Sequence, residues 1–118
     1  MFELKPISKE AIPAALAKAE RYRLLNEPRE AESICRDVLS VDPGNREALV
    51  GLLLALTDQF GRDFDVDIQA ARMLLPDLPT AYEQAYYAGV ICERWGKALL
   101  AQGMPGQIAH DWFREAVR

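Results

Sequence analysis

Prolines and glycines punctuate this chain at Pro28, Pro43-Gly44, Gly61, Pro76, Pro79 and Gly103-Met104-Pro105-Gly106, and the segments between them carry helical apolar periodicity. No segment alternates with a period of two, and β-branched residues are few, so strands are not expected. The spacing predicts six helices, over about 10–25, 29–41, 46–59, 66–75, 81–102 and 107 to the end, preceded by an extended segment over 1–9. Several boundaries carry their own chemistry. Thr80-Ala81-Tyr82-Glu83 reads as a capping box, Asn45 as an N-cap for the third helix, and Asp65 or Asp67 as one for the fourth. Pro13 is tolerated only in a first helical turn, which places the first helix start near 10–12.

A chain of 118 residues is long enough to bury a core without disulfides or metals, and half its residues are apolar, which argues against disorder. Eighteen acidic residues against fourteen basic ones leave a net charge of −4, and the cations stand singly, so nucleic-acid binding through clustered cations is not expected. The longest apolar stretch, 49–56, is far too short to span a bilayer, and Met1-Phe2-Glu3-Leu4-Lys5-Pro6 lacks a secretory signal pattern. A cytoplasmic setting and no membrane association are therefore expected.

Searching at periods of 20–50 residues brings out a repeat. Ala31-x3-Cys35 with Val38 and Pro43, preceded by Ala15, Lys18, Ala19 and Tyr22, resembles a tetratricopeptide repeat, with Lys18 departing from the family's apolar position. About 34 residues on, the family's repeat length, the register recurs as Leu49, Leu52, Leu53 and Leu56. A third copy follows as Cys92, Trp95, Gly96 and Leu99, then Ala109-x3-Phe113-x2-Ala116. The second unit is irregular, because its second helix is short and Pro76-Asp77-Leu78-Pro79 inserts a loop. The resemblance implies a TPR-like helical repeat domain over 10–118, with repeats at about 12–45, 46–88 and 89–118, built as a right-handed α-solenoid of antiparallel helix hairpins. Small residues at Ala19, Ala31, Gly96 and Ala109 would let those helices approach closely.

Chemistry is sparse. Asp63, Asp65 and Asp67 invite a calcium-loop reading, but the positions where that loop needs glycine and a bidentate glutamate hold Ile68 and Leu74. His110 is the single histidine, Cys35 and Cys92 lack the spacing of a metal or redox motif, and no phosphate-binding or nucleophile motif occurs. No catalytic residue, metal or cofactor is expected. Trp95 is expected in the core, and Tyr82 and Tyr86 are expected to cover the junction with the irregular second unit.

The resemblance implies binding of a protein or peptide on the surface lined by the first helix of each hairpin. Carried across residue by residue, that surface comprises Leu16, Glu20 and Arg23, then Val50, Leu54, Thr57 and Asp58, then Glu93, Lys97 and Leu100. The apolar members would bury partner side chains and the charges would set orientation. One subfamily holds acidic chaperone tails with asparagines on these helices; here Ala17 and Gly51 stand in their place, so that activity is not expected. The alternative is an assembly module or homodimer that stacks through an uncapped C-terminal face of Trp112, Phe113 and Val117.

Overall fold

A computed structural model describes residues 7–62, 66–103 and 105–116. Among them are six α-helices, α1 (Ile12–Leu24), α2 (Pro28–Val41), α3 (Arg46–Thr57), α4 (Ile68–Arg72), α5 (Ala81–Ala101) and α6 (Gly106–Ala116). Two 3-10 turns, Lys9–Ala11 and Leu75–Asp77, complete the regular structure, and no described residue lies in a strand. The chain forms two compact units, Met1–Ala55 and Leu56–Arg118.

In the first unit α1 and α2 pack as a hairpin joined by Leu25, Asn26 and Glu27. Asn26 makes the reversal with a left-handed φ of 62°. Its N–H donates to the Arg23 carbonyl at 3.0 Å and that of Glu27 to the Tyr22 carbonyl at 2.8 Å, the paired bonds of a Schellman stop. Pro28 then opens α2, where a missing N–H costs nothing. Pro28, Ala31, Cys35 and Val38 form a buried stripe at helical spacing along α2. Ile12, Val38 and Ala48 knit the three helices of this unit together, with Ile7, Ala15, Leu16, Leu39 and Val41 packed around them. The start of α3 is set by Asn45, whose Oδ1 accepts from the Ala48 N–H at 2.9 Å while its Nδ2 donates to Asp42 Oδ2 at 3.1 Å.

The second unit is built on α5, the longest helix. Thr80 caps it by accepting the Glu83 N–H at 3.0 Å. The antiparallel α6 lies close along α5 over the stretch from Gly89 to Gly96, where glycine leaves room for the approach. A Cβ on Gly96 would stand 2.9 Å from the Phe113 ring and 3.2 Å from the Ala109 carbonyl oxygen, and one on Gly89 would stand 2.8 Å from the Ala116 oxygen. The fourth helix is shorter than its periodicity suggests. Asp67 caps it through the Gln69 N–H at 2.8 Å, but Pro76 has no N–H to continue the ladder, and the chain tightens into the 3-10 turn at Leu75–Asp77. Leu78, 3% exposed, anchors the loop that follows, and the Gln84 side chain donates to its carbonyl at 3.0 Å.

Trp95 packs edge-on against Phe60, with ring centroids 5.1 Å apart. Tyr82 and Tyr86 do not cover a junction: they stack on one another and stay 77% and 55% exposed.

Candidate partner-binding cleft

The residues expected to face a partner fall into three groups. The first is a cleft of about 190 Å³ within the first unit, lined by Leu16, Ala19, Glu20 and Arg23 of α1, Cys35 of α2, and Val50, Gly51 and Leu54 of α3. Five of these, Leu16, Glu20, Arg23, Val50 and Leu54, are among the ten residues that the resemblance nominates. Helical spacing explains how α1 contributes: Leu16, Ala19, Glu20 and Arg23 stand at i, i+3, i+4 and i+7, one continuous strip. Aliphatic groups make the walls, Glu20 is exposed at the rim, and Arg23 is half-buried.

The register did not single out the floor. Cys35 is 1% exposed, and its Sγ lies 2.9 Å from where a Cβ on Gly51 would be. Glycine at 51 thus lets the Cys35 sulfur lie directly against α3. Burial pushes the Cys35 thiol up from 9.0 to about 11, against a smaller downward pull from the Arg23 guanidinium. The sulfur is therefore a neutral, apolar lining atom at ordinary pH and not a nucleophile.

The second group is Thr57 and Asp58, at and just beyond the end of α3. Thr57 is 4% exposed, so its side chain is not presented to a partner, which corrects the expectation. Asp58 accepts a hydrogen bond from Arg94 Nη1 at 2.9 Å. Arg94 was not anticipated, since it stands 36 residues away and no local pattern links the two. The third group lies on α5, where Lys97 and Glu93 pair with one another at 3.1 Å and Leu100 is 44% exposed.

Trp112 and Phe113, expected on an open terminal face, are half-buried and engaged within the second unit, Trp112 toward Arg72 of α4 and Phe113 toward α5. The Arg72 guanidinium sits 5.1 Å over the Trp112 ring while donating to Cys92 Sγ at 3.6 Å, and Phe113 packs on Gly96. Val117 lies outside the described residues. The side of α6 turned away from α5 carries exposed Gln107, His110, Asp111, Arg114 and Glu115.

Among the described residues no group of three or more His, Cys, Asp or Glu side chains is placed to hold a metal ion, and no helix is long and apolar enough to cross a membrane. Asp63 and Asp65 of the acidic string lie outside the described residues. A scan against protein-family models, a search of curated proteins and a search of solved structures each find no match.

Proposed function

We propose that this chain is a protein-protein interaction scaffold, a TPR-like array of helix hairpins that holds a peptide or partner protein and carries out no catalysis. The observation that carries the reading is the α1–α2–α3 cleft, where three helices supply aliphatic walls and the only charges, Glu20 and Arg23, come from one edge. Apolar walls with few charges suit burial of a partner's side chain, with the charges selecting orientation. The repeat register supports the same reading, because the five residues it nominates in the first unit line one cleft.

The test is a single substitution at the wall. Peptides are first selected against the wild-type protein from a random display library. Leu54→Glu then places a carboxylate in the cleft and is expected to weaken their binding by roughly thirtyfold or more, with helical circular dichroism unchanged. Undiminished binding by a folded Leu54→Glu protein would refute the cleft as the docking site.

A further inference from the structure

A second row runs along α1 as Lys18, Arg21 and Tyr22 and ends on the C-cap Leu25, again at i, i+3, i+4 and i+7. It is displaced by two positions from the row lining the cleft, about 200° around the helix, so the two rows lie on opposite flanks. These four residues line a separate shallow cleft of about 160 Å³. Lys18 Nζ lies over the Tyr22 ring at 5.9 Å. Leu25 is 65% exposed and its neighbour Leu24 81% exposed.

Two features of this flank lack an internal explanation. Neither Lys18 nor Arg21 pairs with a carboxylate among the described residues, although the chain has an excess of acids. The row carries no acid of its own, and one turn back it continues as Ala14. The helix dipole accounts for a cation such as Arg21 in the last turn but not for Lys18 farther back, nor for leucines left in water beside it. Lys18 is also the residue that breaks the repeat pattern in the first hairpin.

We propose that this flank of α1 is a docking surface for an acidic peptide segment that carries a large apolar side chain beside its carboxylates. Charge complementarity selects the partner: carboxylates pair with Lys18 and Arg21, and the apolar side chain lies against Tyr22 and Leu25. The cleft favours a side chain over a lipid surface, because it is a local depression on a helix of 13 residues and not a broad apolar face. This surface is independent of the α1–α2–α3 cleft.

The experiment uses the full chain and a panel of fluorescein-labelled hexapeptides in which Asp and Glu flank Phe or Leu, read by fluorescence anisotropy. Saturable binding is expected, weakened by added salt, and weakened by roughly tenfold in the double variant Lys18→Gln, Arg21→Gln and also in Leu25→Ser, both with wild-type circular dichroism. Leu54→Glu is expected to leave this binding intact, so failure here and failure of the cleft reading are separable. No saturable binding to the panel overturns the proposal, as does equal binding of peptides with Lys or Gln in place of the acids, or loss of binding in Leu54→Glu. Binding to phosphatidylserine-containing vesicles without binding to the peptides likewise overturns it in favour of a membrane surface.

Discussion

Cys35 shows how one buried residue makes stability depend on pH. Its thiol ionises at about 11 in the folded chain and at 9.0 in its ordinary state. Between those values the unfolded chain has released a proton that the folded chain still holds, so ionisation favours unfolding. The stabilisation is fully present below pH 9.0 and is lost as pH rises to about 11, amounting to about 2–3 kcal/mol. Denaturant titrations at successive pH values should therefore give a shallower alkaline decline for Cys35→Ala than for wild type, whatever the offset at neutral pH. Equal slopes would mean that the thiol is hydrated in the folded state. The same burial predicts slow alkylation of Cys35 in the native protein at pH 8 and fast alkylation once it is unfolded.

The hairpins depend on how closely their helices approach. Gly96→Ala would gain about 1 kcal/mol of helix propensity in isolation. In α5, however, the new Cβ would press on the Phe113 ring at 2.9 Å and the Ala109 carbonyl at 3.2 Å. Backbone cannot yield as a flexible side-chain tip does, so a net loss of about 1–3 kcal/mol is expected. Gly44→Ala, in the turn between α2 and α3, controls for an added methyl that meets nothing within 4 Å. Thermal denaturation decides the matter: a Gly96→Ala protein more stable than wild type by the full helix-propensity gain would mean that α6 is not held at this distance.

For the molecule as a whole, the orientation of α6 bears on assembly. Phe113 and Trp112 are engaged within the second unit, and the outward side of α6 is mainly polar, with Ile108 38% exposed. A polar helix face is a poor basis for an obligate dimer, whose interface resembles a divided core. Sedimentation across a concentration series is accordingly expected to give the 13.2 kDa monomer. A dimer broken by substitutions on α6 would instead restore assembly through the C-terminal helix as the chain's role.

Local chemistry is what the sequence determines here. Thr80, Asn45 and Asp67 bond to N–H groups two or three residues on, and prolines act on the turn in which they sit, so helix existence and most boundaries are legible without the rest of the fold. The strip Leu16, Glu20 and Arg23 is legible for the same reason, as helical spacing alone puts these residues on one flank. Sequence could not say which flank faces which neighbour, since a small rotation of a helix exchanges exposed for buried residues without altering its pattern. Only the tertiary structure buried Thr57, joined Asp58 to Arg94, set Cys35 under Gly51 and turned Phe113 inward onto Gly96. That Lys18 departs from the apolar position the family resemblance implies is legible in the sequence, but its cleft with Arg21, Tyr22 and Leu25 depends on the packed tertiary structure.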